Sequence, residues 1–281
     1  SGSVTMSGYI KAYESIVFNT LPRSSGEQNV LLTASSRLET LSGGMVLSPA
    51  GHTVIEGELV ALGRYADIVI NAKQTLKITG RLEAQRDIIV NAGTASTVSS
   101  TELSLETTGT SELITRDAGG RIVLTGLNNV LIGSSIGGAD NPNLGRLDVT
   151  SSQGTLTISE RGGRLETGAL MTLTGKNVVV KGVVISSQAT PATYDDEVTI
   201  TATNNVTLGG QFALAGSLSV KAGGSIDGTS ISIAASAAGQ HLLLSAKKNI
   251  ELGTTDGSGG VVLAADALLS LKASENLFLG R

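Results

Sequence analysis

VTITATNNVTLGG, residues 198–210, decides the reading of this chain. Val198, Ile200 and Ala202 alternate with polar residues, so the stretch begins as a strand with one buried face. A polar corner at Asn204-Asn205 follows, then a second short strand and a pair of glycines. The unit recurs as LLLSAKKNIELGT from Leu242 and LSLKASENLFLGR from Leu269, and more loosely as IVLTGLNNVLIGS from Ile122 and MTLTGKNVVVKG from Met171. A chain built from one repeated strand–corner–strand unit is an array, and arrays override length-based estimates of domain number.

The apolar content fits such an array. Hydrophobic residues make up 40% of 281 residues, yet there are three Phe, four Tyr and no Trp. A narrow interior refilled in the same way at every turn takes Val, Ile, Leu and Ala and has little room for rings. Thirty-six Gly and many Ser, Thr and Asn serve the turns.

Aligning the first apolar residue of each unit gives Ile68, Ile88, Leu103, Ile122, Leu147, Met171, Val198, Leu218, Leu242 and Leu269. The clearest duplication is DIVINA from Asp67 with DIIVNA from Asp87. Between them lies LKITGRLEA, in which Gly80 separates two strands, so one period holds about three short strands. Surplus residues fall in the Gly/Ser/Pro-rich loops 137–145 and 188–197. Connections are too short for helical crossovers, and hairpin signals are confined to Asp227-Gly228 and Asp256-Gly257. The expected fold is therefore all-β: a right-handed parallel β-helix over residues 1–281. About twelve coils at one strand spacing each would make a rod on the order of 55 Å long. Residues 1–29 are irregular: Tyr9, Tyr13 and Ile16 have helical spacing, but two strands broken near residues 12–15 fit the run better, and 21–27 reads as a loop.

Seven residues after the first apolar residue of a unit stand Asn129, Asn205, Asn249 and Asn276, with Asn177 one deletion away and Ser225 and Gly154 as substitutes. Asn tolerates a left-handed corner, and its amide can bond the coil beneath. A row of ligands is the functional alternative, but exchange with Ser and Gly points to a structural ladder.

Charge and composition exclude several functions. The net charge is −4, from 20 basic and 24 acidic residues spread singly, so nucleic-acid binding has no footprint. Cysteine is absent, which removes disulfides and thiol chemistry. No apolar run approaches the ~20 residues of a membrane helix, and membrane insertion is not expected. His52 and His241 lie far apart, with no partner at metal-ligand spacing. Asp195, Asp196 and Glu197 form the densest acidic cluster and are the one candidate for calcium, or for the carboxylates of a glycan-cleaving β-helix. With no neighbouring Arg or Lys they read as a solvated loop, so no cofactor and no enzymatic activity is expected. Tyr65, Tyr194 and Phe212 look isolated, and Thr is scattered without a T-x-T column.

In LKITGRLEAQRDIIVNA, VTITATNNVTLGGQFALAGSLSVKAGG and LLLSAKKNIELG the chain resembles the filamentous haemagglutinin-like exoproteins of two-partner secretion, over most of residues 30–281. That resemblance implies export through an outer-membrane secretion partner, a Gram-negative cell-surface or extracellular location, and adhesion to host-cell or matrix glycans or proteins. Asn141-Pro142-Asn143-Leu144 matches a motif of the family's secretion domain; here it stands mid-array and reads as a turn. The expected function is a structural, adhesive segment of a large surface exoprotein. The alternatives are a self-associating filament or matrix subunit and a β-helical polysaccharide-binding or -degrading protein. The array runs in full pattern to Leu279, which suggests a fragment of a longer chain.

Overall fold

In the computed structural model, Val198, Ile200 and Ala202 are buried while Thr199 and Thr201 between them face outward. The same alternation builds the whole molecule. The structure describes residues 3–20, 29–95, 99–138, 141, 144–187, 197–228, 231–235, 241–253, 260–263 and 268–279.

Coil 1 is β1 (Val4–Ala12) and β2 (Ile16–Asn19); coil 2 is β3 (Val30–Thr40) and β4 (Met45–Ser48). Coil 3 is β5 (Thr53–Ile55), β6 (Glu58–Ala61) and β7 (Ile68–Ala72). Coil 4 is β8 (Leu76–Ile78), β9 (Arg81–Ala84) and β10 (Ile88–Ala92). Coil 5 is β11 (Leu103–Thr107), β12 (Glu112–Thr115) and β13 (Gly120–Gly126). Coil 6 is β14 (Asn129–Ile132), β15 (Ser135–Ile136) and β16 (Leu144–Ser151). Coil 7 is β17 (Thr155–Ile158), β18 (Arg164–Thr167) and β19 (Leu170–Gly175). Coil 8 is β20 (Asn177–Val180), β21 (Val183–Ser186) and β22 (Glu197–Ala202). Coil 9 is β23 (Val206–Leu208), β24 (Gln211–Leu214) and β25 (Ser217–Ala222). Coil 10 is β26 (Ile226–Gly228), β27 (Ser232–Ala235) and β28 (His241–Ala246). Coil 11 is β29 (Ile250–Leu252), β30 (Gly260–Leu263) and β31 (Leu268–Ala273), and β32 (Leu277–Leu279) follows it.

Like strands stack on like, in parallel. In coils 3–11 the first strand makes face 1, the second face 2 and the third face 3, and β2 and β4 open face 3. Face 3 is an uninterrupted sheet of 11 strands from β2 to β31. In coil 2 the single strand β3 serves two faces, pairing β5 through Val30–Leu32 and β6 through Arg37–Thr40. The chain is thus an all-β solenoid of parallel sheets, with nine complete three-strand coils after two shorter ones, fewer than the twelve expected. At ~4.8 Å per coil, the eleven strands of face 3 span roughly 50 Å.

Leu103 explains the difference in count. The sequence register places it on the same face as Ile88 and Ile122, but Leu103 opens β11 on face 1, and Ile88 pairs directly with Ile122. Short alternating segments look the same on any face, so an insertion in coil 5 reads as an extra coil. The other aligned residues, from Ile68 to Leu242, do stack in one buried column of face 3. Asp227-Gly228, read as a hairpin signal, lies within the parallel strand β26.

The interior is an aliphatic column on three sides. Face 3 contributes pairs such as Ile68/Ile70, Ile88/Val90 and Met171/Leu173, each fully buried. Its third inward position is small throughout: Ala72, Ala92, Gly126, Ser151, Gly175, Ala202, Ala222 and Ala246. A Cβ at Gly126 would lie 2.5 Å from Val130 Cγ2, which shows how tight that corner is. Phe212 enters the interior (2% exposed), whereas Tyr9, Tyr13 and Tyr65 all lie outside.

The corner ahead of face 2 is a second stacked column that sequence reading misses. Gly57, Gly80, Ser111, Ser134, Gly163, Gly182 and Gly210 each precede a face-2 strand. The carbonyls of Gly57, Gly80, Ser134, Gly163, Gly182 and Gly210 accept from the next coil, as in Arg81 N to Gly57 O (3.0 Å) and Gln211 N to Gly182 O (3.1 Å). A Cβ at Gly80 would lie 2.1 Å from Gly57 O, and one at Gly210 would lie 2.0 Å from Gly182 O. Backbone rests on backbone here.

Candidate functional site

The face-1 corner holds the asparagines singled out above. Asn129 Oδ1 accepts from Thr155 N (2.9 Å), Asn177 Oδ1 from Asn205 N (3.4 Å) and Asn205 Oδ1 from Ser225 N (2.9 Å). Ser225 Oγ accepts from Asn249 N (3.4 Å), and Asn249 Oδ1 from Asn276 N (3.2 Å) and Asn276 Nδ2 (2.9 Å). Each side chain therefore holds the backbone of the next coil. The substitute in coil 7 is Thr155, which pairs with Asn177; it is not Gly154, one residue earlier. His52 stands at the same corner in coil 3, its Nδ1 2.6 Å from Thr75 Oγ1. His241, in coil 10, donates its backbone N–H to Ser217 Oγ (3.2 Å). Removing one rung isolates its contribution: Asn205→Ala should cost about 1 kcal/mol. Hydrogen exchange at Ser225 should accelerate while Thr155 is unchanged; equal protection at Ser225 in both proteins would show the rung to be idle.

Charge is also laddered. On face 2, Arg37, Glu58, Arg81 and Glu112 occupy one column on consecutive coils. Arg37 pairs with Glu58, and Arg81 Nη1 with Glu112 (2.9 Å). Two residues along, Lys11 reaches Glu39 (3.0 Å), while Arg81 (2.7 Å) and Arg116 (2.6 Å) converge on Glu83. Val60 separates Glu39 from Glu83 in that column, keeping the two carboxylates two coils apart. Hydrogen bonds from Arg37 and then Lys11 hold Glu39 below the usual carboxylate range. Burial raises the Glu83 pKa, but the hydrogen bonds from Arg116 and Arg81 outweigh it and the net direction is down. On face 3, Asp67 Oδ1 accepts from Asp87 N (3.1 Å) and Asp87 Oδ1 from Arg121 N (3.0 Å).

Among the described residues the strand stack is interrupted between β12 and β15. Face 2 runs β6–β9–β12 and resumes as β15–β18, but β12 and β15 each end a sheet and do not pair. Asn141 fills the break. It is 2% exposed, donates Nδ2 to Leu113 O (3.4 Å) and accepts from Thr115 Oγ1 (3.3 Å). Asn141 N bonds Gly138 O (3.0 Å) and Leu144 N bonds Asn141 O (3.3 Å), while Pro142 and Asn143 of the expected turn lie outside the described residues. Gly137 takes φ +88° with its α-carbon against Glu166 O, where a Cβ would sit at 1.7 Å. A cleft of about 320 Å³ opens beside the break, lined by Thr110, Ser111, Glu112, Ser135 and Asn141 among others. Its polar groups are hydroxyls, an amide and a carboxylate bonded to Arg81, beside the apolar side chains of Leu113 and Ile114.

Two expectations about the surface are corrected. Thr125, Thr150, Thr174 and Thr201 stack on face 3, and Thr172 stacks with Thr199, so T-x-T pairs do lie on adjacent coils. Irregular coil lengths hide that column in the sequence. Tyr65 is not isolated either. Ala12 pairs with Thr40 and Thr40 with Ala61. The residues that follow, Tyr13, Leu41 and Leu62, turn outward one above another, with Tyr65 in the same turn as Leu62. Phe212 is buried, and Tyr194 lies outside the described residues.

Asp195 and Asp196 lie outside the described residues as well, and Glu197 opens β22. Among the described residues no group of three His, Asp or Glu converges as a metal site, and no helix is long and apolar enough to cross a membrane. Compared with known proteins, the chain matches no family model, no curated protein and no solved structure.

Proposed function

We propose that this chain is a structural and adhesive rod segment of a large secreted or surface-displayed exoprotein. One observation carries the reading: a parallel sheet continuous through eleven coils over a buried aliphatic interior, with Asn, Gly and ion-pair columns tying coils to their neighbours. Such a construction puts its repeated geometry into length and leaves a long outer surface for contact. The resemblance to filamentous haemagglutinin-like exoproteins supports the same reading, with export through an outer-membrane partner and adhesion to host-cell or matrix glycans or proteins. Beads coated with the chain should adhere to epithelial cells or matrix-coated surfaces more than beads carrying an unrelated β-solenoid. Equal adhesion would remove the contact role and leave a bare stalk.

Self-association is the second reading, because Tyr13, Leu41, Leu62 and Tyr65 leave an exposed apolar strip on the side of the rod. Light scattering over a concentration series separates the two: growth in mass with concentration supports a filament, and a constant monomer mass excludes it.

A further inference from the structure

The exposed corner between faces 2 and 3 in coils 1–3 has no explanation in the fold. Tyr13 is 74% exposed, Leu41 38%, Leu62 41% and Tyr65 66%. The stack is well fixed. Leu41 N bonds Ala12 O (3.1 Å), Ser42 N bonds Tyr13 O (2.8 Å) and Leu62 N bonds Thr40 O (3.0 Å). Ala66 N bonds Gly63 O (2.8 Å), which closes the turn that carries Arg64 and Tyr65. Gly63 is pressed onto Ser42, where a Cβ would lie 1.9 Å from Ser42 O, so the turn sits directly over coil 2. Tyr13 and the Leu62–Tyr65 turn are two coils apart, about 10 Å along the rod. The result is a rigid strip with a tyrosine at each end and two leucines between.

Arg64 supplies the second observation. Its guanidinium lies over the Tyr65 ring, 5.2 Å from the centroid. Among the described residues it makes no ion pair, unlike the arginines of the charge ladders. A guanidinium on a ring keeps its N–H edge free for an oxyanion. The strip's apolar area is on the order of a few hundred Å², well below the ~800 Å² per partner of a standard protein interface.

We propose that this corner binds an acidic saccharide two or three units long. Sugar rings lie on Tyr65 and Tyr13, the leucines pack under the linkage between them, and a carboxylate or sulfate on the ligand takes the N–H edge of Arg64. Glu14 is exposed beside Tyr13 and makes that end of the strip acidic, so the ligand's charged group lies at the Arg64 end. This assigns a site to the contact role proposed above and rests on that role.

Titration calorimetry on the intact chain tests it, with hexagalacturonate and a chondroitin sulfate hexamer as acidic probes and cellohexaose as the neutral one. The unaltered protein should bind the acidic probes and prefer them to cellohexaose. Tyr65→Ala should weaken binding about tenfold, and Tyr13→Ala by several-fold. Arg64→Gln should weaken the acidic probes about tenfold and erase the preference. All three side chains are exposed, so melting temperatures should match the parent. Absence of binding by the parent at millimolar probe, or affinities untouched by the three changes, would overturn the site. Self-association abolished by Tyr65→Ala would overturn it too, by making the strip a protein contact. Bead adhesion that survives Tyr65→Ala would remove this site while leaving the rod's contact role standing.

Discussion

Gly210→Ala is expected to destabilise the coils around it by about 3 kcal/mol, at the top of the usual overpacking range. The new Cβ would lie 2.0 Å from Gly182 O, and Gly182 in turn is pressed onto Gly163 O, where its own Cβ would meet the oxygen at 2.1 Å. A side chain in the way could rotate, but a carbonyl held in a ladder cannot. Coils 8 and 9 would have to separate, lengthening the Gln211 N to Gly182 O bond, and the strain would pass to Ser232 N on Gly210 O (3.1 Å each). Gly168→Ala is the control, since its Cβ would meet nothing closer than Leu144 O at 3.7 Å. It should stay within about 0.5 kcal/mol of the parent. Thermal melting and hydrogen exchange on coils 8–10 would read the difference; two variants that melt together would refute the stacked-glycine account.

Glu83→Gln is expected to cost about 2 kcal/mol, the scale of a charged hydrogen-bonded group losing its charge. Glu83 is 8% exposed and receives Arg81 on one side and Arg116 on the other, so it is the centre of the face-2 network. The amide would leave both guanidinium groups without their shared carboxylate, although Arg81 keeps Glu112. The same carboxyl predicts a pH dependence. Its pKa is lower in the folded chain than its ordinary 4.5, so folding releases a proton in acid. The stabilisation is complete above about pH 4.5 and is lost as pH falls through the lower folded value. Glu39, held down by Arg37 and Lys11, acts in the same direction. Hydrogen exchange below pH 4 should therefore open coils 1–5 before coils 7–9, and Glu83→Gln should flatten that profile. Uniform opening along the rod would refute it.

The sequence made the alternation legible because period-2 burial is local: Val198, Ile200 and Ala202 needed no knowledge of the coil above. The asparagine corner was legible for a similar reason, since few other residues serve a tight polar turn. Properties that exist only between coils were not. Gly57, Gly80, Gly182 and Gly210 read as ordinary turn glycines until stacking showed a carbonyl 2.0–2.1 Å from the missing Cβ of three of them. Thr125, Thr150, Thr174 and Thr201 are aligned by loops of unequal length. Tyr13 and Tyr65 are far apart in sequence and two coils apart in space. ELSLET alternates like any face-3 strand, so only pairing with β14 shows that Leu103 lies on face 1. The corner strip and the cleft at Asn141 both depend on such cross-coil placement.

The break between β12 and β15 gives the rod a built-in division. In an array, stability is close to a sum of nearest-neighbour terms, and unfolding spreads from the weakest of them. The junctions on either side of coils 5 and 6 are closed by three strand pairings, but that between coils 5 and 6 by two, β11–β14 and β13–β16. Pairing of β13 with β16 over the whole of Gly120–Gly126 offsets part of the loss. Asn141 supplies side-chain hydrogen bonds where the third ladder would run. Under tension along the axis this joint yields before its neighbours, so the rod parts into two cooperative blocks, each keeping its own core.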